Sequence, residues 1–208
     1  MTSTTYPDIV ALNAAFDAIE EDARGVVAGL SEEEGVWRPA PESWSVAHCL
    51  DHLATANRVY LRAMEPAAAE ARTRGLTRRR PALPGLVGGW FVRTLEPPVK
   101  PRFRMRAPRK IVPRDSPTLH DAAAQFHATQ ADVRAFLSSH ADIDLAGVRF
   151  PNPFIRGVRF SLATGLHVLA AHDRRHLWQA WNVRRAQEVH VKAETAKESG
   201  STGRGVLA

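Results

Sequence analysis

Residues 45–72, SVAHCLDHLATANRVYLRAMEPAAAEAR, have the pattern of one long amphipathic helix. At about 100° per residue, one side of this helix collects apolar residues that repeat every three or four positions. They are Val46, Cys49, Leu53, Ala56, Tyr60 and Ala63. Ser45 is suited to the N-cap position, because its hydroxyl can accept a hydrogen bond from a free backbone N–H. The stretch therefore predicts a helix whose apolar side packs against other helices.

Three further segments show the same periodicity, over residues 7–30, 116–139 and 160–187. The third helix has a clear start signal, with Ser116 as the N-cap and Pro117 at the first helical position. The chain shows no internal repeat and no strand-rich region. Four long helices predict an all-α four-helix bundle, with a long connection rich in arginine and proline between the second and third helices. We expect one domain over residues 1–189 and a flexible polar tail over residues 190–208.

The composition is ordinary for a globular protein, since 44% of the 208 residues are hydrophobic and 24% are charged. Cys49 is the sole cysteine, so an internal disulfide is excluded and a reducing compartment is expected. The first residues lack the basic start and apolar run of a signal peptide. The most apolar connection, residues 81–92, is too short and interrupted to span a bilayer. We therefore expect a cytoplasmic protein with no membrane partner.

The net charge of +6 is concentrated in one connection. Residues 72–114 contain 13 of the 28 basic residues and one acidic residue, Glu96. This segment also contains the aromatic residues Trp90 and Phe103, so a non-catalytic protein that binds nucleic acid or another anion is the alternative function. The arginines could instead pair with Glu32–Glu34 or with a dimer partner, or bind an anionic substrate. We expect a nucleic-acid partner to be unlikely, because the rest of the chain is acidic.

The stretch HDRRHLWQAW, residues 172–181, places two histidines one helical turn apart. His172 and His176 fall on the apolar side of the fourth helix, whereas Arg174 and Arg175 point away. His52 falls on the apolar side of the second helix. Three buried imidazoles need partners for their ring nitrogens, and one divalent metal ion would satisfy all three. The other interpretation, in which they are ordinary core or surface histidines, stays open on this pattern alone.

Several neighbouring side chains are secondary candidates for the same site. Gln179 faces the site and could bond a ligand or substrate, whereas His48, at the edge of the stripe, could be a fourth ligand or a partner of a ligand. Asp173, at the edge of the stripe, could orient a ligand but is predicted to lie at the surface, and Asp51 is predicted to point outward. Cys49 faces inward and is expected to be a small buried apolar residue rather than a ligand.

The combination of WSVAHCLDHLA, residues 44–54, with HDRRHLWQ, residues 172–179, resembles the DinB-like superfamily of damage-inducible metalloproteins. Members carry a Trp-Ser pair at the start of the second helix, then His-Leu, and then H-x-x-x-H-x-x-Q on the fourth helix. The matching positions here are Trp44, Ser45, His52, Leu53, His172, His176 and Gln179. The resemblance covers about residues 8–187.

The resemblance implies an up-up-down-down bundle, often a homodimer, with a three-histidine site for zinc or nickel. Characterised relatives include thiol S-transferases that use bacillithiol or mycothiol, a mycothiol-dependent isomerase and metal-dependent hydrolases. A metal-dependent enzyme acting on a small molecule, with a low-molecular-weight thiol as a candidate cofactor, is therefore the function that the resemblance implies. The arginine-rich connection looks longer than the usual crossover of the family.

Overall fold

The computed structural model describes residues 6–98 and 107–202, with side chains described as far as residue 195. The chain is predominantly helical, which confirms the all-α class. Six α-helices lie within the described ranges: α1 (Pro7–Val27), α2 (Glu32–Val36), α3 (Val46–Thr73), α4 (Leu86–Leu95), α5 (Leu119–His140) and α6 (Leu162–Thr202). The same ranges contain a 3-10 turn at Arg109–Ile111 and two short strands, β1 (Arg149–Pro151) and β2 (Arg159–Ser161). None of these helices is long and apolar enough to cross a membrane.

The four long helices pack side by side around one apolar core. Helix α3 packs on α5 and α6, and α1 packs on the same two helices from the opposite side. The largest fully buried side chains come from all four helices and from β1, and include Phe16, Leu53, Phe126, Phe150 and Leu166. Gly165 allows α6 to approach α3 closely, since a Cβ there would lie 2.9 Å from Met64 Sδ. The histidines are therefore held on helices that are fixed by a shared core.

The helix directions differ from the expected up-up-down-down order. Five contacts fix them: the hydrogen bonds Arg58–Gln125 and Arg72–Ser139 between α3 and α5, the approach of His52 to His172 between α3 and α6, and the hydrogen bonds Trp181–Asp22 and Arg184–Gly25 between α6 and α1. Residue numbers rise together along α3 and α5 and along α1 and α6, so the helices of each pair are parallel. Gly165 lies against Met64, twelve residues beyond His52, so α3 and α6 are antiparallel. The order is up-down-down-up, and the up-up-down-down expectation is wrong.

The long connection between α3 and α5 runs back along the molecule, because these two helices are parallel. In its first part, Thr77 forms an isolated β-bridge with Ile143. The chain then forms α4, which packs on α6. Its last part, from residue 107 onwards, lies against the start of α3. The sequence predicted this crossover but not α4, since a ten-residue helix amid proline, glycine and arginine gives a weak periodic signal.

The predicted helix ends are partly wrong. Ser45 is the N-cap of α3 and accepts a hydrogen bond from His48 N–H, as expected. The N-cap of α5 is Thr118 and not Ser116, because the Thr118 side chain accepts from Asp121 N–H. Helix α6 continues to Thr202 and not to Gln187, so the described part of the expected flexible tail is helical. A pairing of His190 with Glu194 four residues on is typical of such an exposed helix.

A short antiparallel hairpin precedes α6, in a region that the sequence predicted to be a loop. Phe150 of β1 pairs with Phe160 of β2, and both side chains are buried. The ring of Tyr60 on α3 contacts Phe150 edge-on. The hairpin therefore closes the core at the start of α6.

Candidate metal centre

Three histidines from α3 and α6 meet at one point in the core. The ligand atoms that His52, His172 and His176 offer all lie within 4.8 Å of one another. His52 Nε2 lies 3.3 Å from His172 Nε2, and the ring centroids of His52 and His176 are 4.4 Å apart. His172 and His176 lie one turn apart on the same side of α6, as their spacing predicted. The geometry thus brings together the three residues that the sequence singled out.

Two of the three rings are held by hydrogen bonds on their far side. His52 Nδ1 donates to the carbonyl oxygen of Ile111, at 2.5 Å, and His176 Nδ1 donates to Gln179 Oε1, at 3.0 Å. Since a carbonyl oxygen only accepts, each of these two rings carries its proton on Nδ1 and keeps a lone pair on Nε2. This is the arrangement found in metal-ligating histidines, whose second nitrogen bonds a backbone or side-chain oxygen.

The surroundings keep the three imidazoles neutral. Burial lowers the pKa of His52 to about 4, and the bond to Ile111 opposes this only in part. Burial also lowers the pKa values of His172 and His176 well below the ordinary value, and the neighbouring imidazoles act in the same direction. His52 is buried, whereas His172 and His176 are partly exposed. The site therefore offers neutral nitrogen donors.

Trp44 and Ser45 have separate physical roles at the start of α3. The Trp44 ring packs on the rings of His52 and His176, with centroid distances of 4.8 Å and 5.6 Å. Ser45 caps the helix, and its hydroxyl also lies 2.6 Å from His48 Nδ1. The Trp-Ser pair of the motif thus covers the histidines and fixes the helix that carries one of them.

His48 does not join the three-histidine cluster. Its Nδ1 is bonded to Ser45, and its Nε2 lies 3.0 Å from Arg38 Nη2 and 3.3 Å from the carbonyl oxygen of Asp115. Both ring nitrogens are therefore engaged away from the site. The interpretation of His48 as a fourth ligand is not supported by this geometry. Gln179, by contrast, contacts a histidine of the cluster.

Asp173 is buried, so the prediction that it lies at the surface is wrong. Its Oδ2 accepts hydrogen bonds from Asn57 on α3 and from Gln130 on α5, at 3.3 Å and 2.7 Å. Burial raises the pKa of Asp173 to about 7, although these two bonds act to lower it. The sequence does not indicate this cluster because a carboxylate is usually exposed, whereas here amides from two neighbouring helices bond it within the core.

Asp51 is also buried, and the prediction that it points outward is wrong. Its two carboxylate oxygens accept from the backbone N–H and the Nε of Arg114, at 2.9 Å and 2.8 Å. This ion pair anchors the end of the crossover to α3, three residues after Ile111, whose carbonyl holds His52. The crossover therefore contributes to the site, a role that the sequence did not indicate.

Cys49 lies in the apolar core and outside the histidine cluster. It is fully buried, and burial raises the pKa of its thiol, so the thiol stays protonated at neutral pH. This agrees with the expected apolar role.

Several arginines of the basic segment pair with acidic residues of this chain. Arg78 bonds Asp8, Arg80 lies 3.6 Å from Asp144, and Arg114 bonds Asp51. Two of the expected partners Glu32–Glu34 bond other groups: Glu32 accepts from the N–H groups of Leu119 and His120, and Glu34 completes the capping box of α2. Phe103 and the basic residues at positions 100, 102, 104 and 106 lie outside the described residues.

A helical chain with three histidines converging between two of its helices defines the class of this protein. A family model described as the DinB superfamily matches residues 15–180, and the chain belongs to that superfamily. No curated protein matches the chain. The family therefore accounts for the motif, and the geometry accounts for why its residues occur together.

Proposed function

We propose that His52, His172 and His176 bind one divalent metal ion, zinc or nickel. The observation that carries this proposal is the convergence of the three imidazoles. Two of them, His52 and His176, donate their Nδ1–H to oxygens of Ile111 and Gln179. Two nitrogens bound to one tetrahedral zinc ion at about 2.1 Å would lie about 3.4 Å apart. The separation of 3.3 Å between His52 Nε2 and His172 Nε2 fits that requirement. Imidazole is also a suitable ligand for both metals.

We further propose that the protein is a metal-dependent enzyme of the thiol S-transferase or hydrolase type. A bound divalent ion would supply Lewis acidity, which lowers the pKa of a water or thiol beside it. The protein residues would orient the site: Ile111 and Gln179 hold two rings, and Trp44 covers one side of them. A small-molecule substrate and a low-molecular-weight thiol would approach from the side on which the residues His172 and His176 are partly exposed. Three histidine ligands leave a coordination position for them, which is typical of catalytic sites.

Four wider features remain part of this proposal. The four long helices would form the expected four-helix bundle, residues 1–189 would be one domain, the protein would be a homodimer, and it would act in the cytoplasm. The packing of α3 on both α5 and α6 supports the bundle. The oligomeric state can be measured by light scattering on the purified chain.

The alternative function is a binding protein that uses the arginine-rich segment 72–114 to contact nucleic acid or another anion. The ion pairs of Arg78, Arg80 and Arg114 with acidic residues of the same chain count against it. A gel-retardation series at rising salt would test it, because phosphate contacts weaken steeply with salt.

Elemental analysis of protein purified without a histidine tag tests the metal site. We expect about one zinc or nickel ion per chain, and we expect the His172→Ala variant to lose it. His190→Ala is the matched control, because His190 lies on the same helix and is exposed. Wild-type protein that contains no metal and takes none up on titration would contradict the proposal.

The reaction type needs a separate assay on the metal-loaded protein. Consumption of mycothiol or bacillithiol in the presence of an aromatic electrophile would support a transferase. Release of a carboxylic acid from model esters or amides without thiol consumption would support a hydrolase. In either case His176→Ala should abolish turnover.

A further inference from the structure

Helix α4 and the turn before it carry a patch of exposed apolar side chains. Leu83, Leu86, Val87 and Trp90 are 55%, 95%, 77% and 58% exposed. Leu86 and Trp90 lie one turn apart on the same side of α4, and Val87 and Leu83 flank them. A cluster of large exposed apolar side chains often marks a surface that binds a protein or a membrane. We refer to these four residues as the α4 patch.

The α4 patch cannot turn inward, because the opposite side of α4 is packed on α6. Gly88 and Val92 are buried, and a Cβ on Gly88 would lie 2.6 Å from Thr164 Oγ1. The residue that follows α4, Glu96, pairs with Arg174 on α6. Close packing and an ion pair thus hold the helix with its apolar patch toward solvent.

The surroundings of the α4 patch are basic. Arg79 and Arg93 are exposed, and neither makes an ion pair within residues 6–98 and 107–202. Arg93 lies three residues after Trp90, on the same side of α4. Arg80 is also largely exposed and lies at 3.6 Å from Asp144. Glu96 is the one carboxylate between residues 78 and 98, and Arg174 engages it. The exposed rim is therefore positively charged.

We propose that the α4 patch docks reversibly onto the surface of an anionic phospholipid membrane. Leu86, Val87 and Trp90 would enter the boundary between headgroups and acyl chains, where tryptophan is favoured. Arg79 and Arg93 would lie near lipid phosphates and carboxylates, and each arginine near such a surface strengthens binding roughly fivefold. This binding lies on the membrane and requires no spanning helix, and it departs from the expectation of no membrane partner. It does not depend on the proposed metal site.

A second copy of the chain fits the α4 patch less well. A two-fold interface centred on the patch would bring Arg93 of one copy toward the arginines of the other, and like charges oppose association. A stable dimer also buries about 800 Å² on each partner, more than four side chains on and beside a ten-residue helix provide. Charge and area both favour a lipid surface.

Co-sedimentation of the full-length protein with vesicles tests this inference. We expect binding to vesicles of phosphatidylcholine mixed with phosphatidylserine, weaker binding to phosphatidylcholine alone, and a decrease as salt rises. The variants Leu86→Glu and Trp90→Glu should each lower the partition coefficient roughly tenfold, and Arg93→Gln roughly fivefold. Val189→Glu is the matched control, because Val189 is 67% exposed on α6 and far along that helix.

Three results would overturn the inference. They are no binding to either kind of vesicle, binding that Leu86→Glu and Trp90→Glu leave unchanged, and a dimer in solution that these two variants dissociate. Light scattering on the same variants detects the dimer and would assign the patch to a subunit interface. Circular dichroism verifies that each variant is folded, and the exposure of Leu86 makes its substitution harmless to the core.

Discussion

Two buried polar clusters lie next to each other between α3 and α6, and they are built on opposite plans. The histidine cluster consists of His52, His172 and His176, and its nitrogens point at one another while the far side of two rings is bonded. The amide–carboxylate cluster consists of Asn57, Gln130 and Asp173, and its hydrogen bonds run between its own members. His172 and Asp173 are neighbours in sequence, yet they belong to different clusters.

This difference shows that burial of polar groups alone does not define a site. In the amide–carboxylate cluster, two amide donors meet the acceptor Asp173 Oδ2 and link three helices, while Asn57 Oδ1, Gln130 Oε1 and Asp173 Oδ1 have no hydrogen-bond partner among the described residues. In the histidine cluster, lone pairs converge and repel unless a proton or a metal ion lies between them. The first arrangement links helices through donor–acceptor pairs, and the second offers lone pairs to a ligand.

The largest expected effect is the loss of metal affinity when a histidine of the histidine cluster is replaced. Because the neutral imidazoles are the proposed ligands, His176→Ala should weaken zinc or nickel binding by about 100-fold or more. Metal at about 100 times its dissociation constant should stabilise the wild-type protein by about 2.7 kcal/mol, and the variant far less. Thermal unfolding with and without metal measures this. Equal stabilisation of both proteins would show that the ion binds elsewhere.

The second expected effect comes from a change in the amide–carboxylate cluster, which should lower the free energy of unfolding without changing metal affinity. Gln130→Ala removes a fully buried donor to Asp173 and leaves a cavity, so unfolding free energy should fall by about 2–4 kcal/mol. Gln125→Ala on the same helix removes only a partly buried bond with Arg58 and should cost less than about 1.5 kcal/mol. Urea denaturation measures both. A large loss of metal affinity in Gln130→Ala would mean that the clusters act as one.

The third effect is the pH dependence of the metal-free protein. The pKa of His52 is lowered to about 4, whereas an unfolded histidine titrates near 6.5, so the unfolded state binds more protons between these values. The stability that neutral His52 contributes above pH 6.5 should therefore decrease as the pH falls toward 4, by up to about 1.4 kcal/mol per pH unit. His172 and His176 act in the same direction, whereas Asp173, whose pKa is raised, acts in the opposite direction. His52→Gln should therefore reduce the slope by the contribution of one histidine. An unchanged slope in that variant would show that His52 is not the group responsible.

The smallest effect concerns the side chain that orients a histidine. Gln179→Ala should lower metal affinity roughly tenfold, because His176 loses the acceptor that fixes its ring. Gln179→Glu keeps an acceptor at that position and should lose less. Metal-binding titrations on the three proteins test this order. Identical affinities would leave Gln179 without a role in the site.

Helical phase was sufficient to predict which histidines meet. His52, His172 and His176 lie on the sides of α3 and α6 that face each other, and the count of 100° per residue found those sides. The same count misplaces Asp51, because it assumes that each helix has one buried side, whereas the start of α3 is also covered by the crossover. The burial of Asp173 could not be predicted for a different reason: a carboxylate is usually exposed, and the two amides that bond it come from other helices.

The contribution of the crossover could not be predicted from the sequence. Nothing in its pattern indicates that Ile111 offers a carbonyl oxygen to His52, because any residue presents the same backbone atom. The pair Ser116-Pro117 is a strong helix start signal and predicts the N-cap of α5 at Ser116. Thr118 is the N-cap because its side chain is the one that bonds the N–H of Asp121.

The bond from His52 to Ile111 has a consequence for how the chain responds to ligands. A ligand that binds more tightly when His52 is bonded to Ile111 would also stabilise the docked position of the crossover. By linkage, docking of the crossover would raise the affinity for that ligand by the same factor. Whatever binds or displaces the crossover would then change the affinity of the histidine cluster, without touching a histidine. One backbone carbonyl thus couples the position of the crossover to the orientation of a histidine in the buried site.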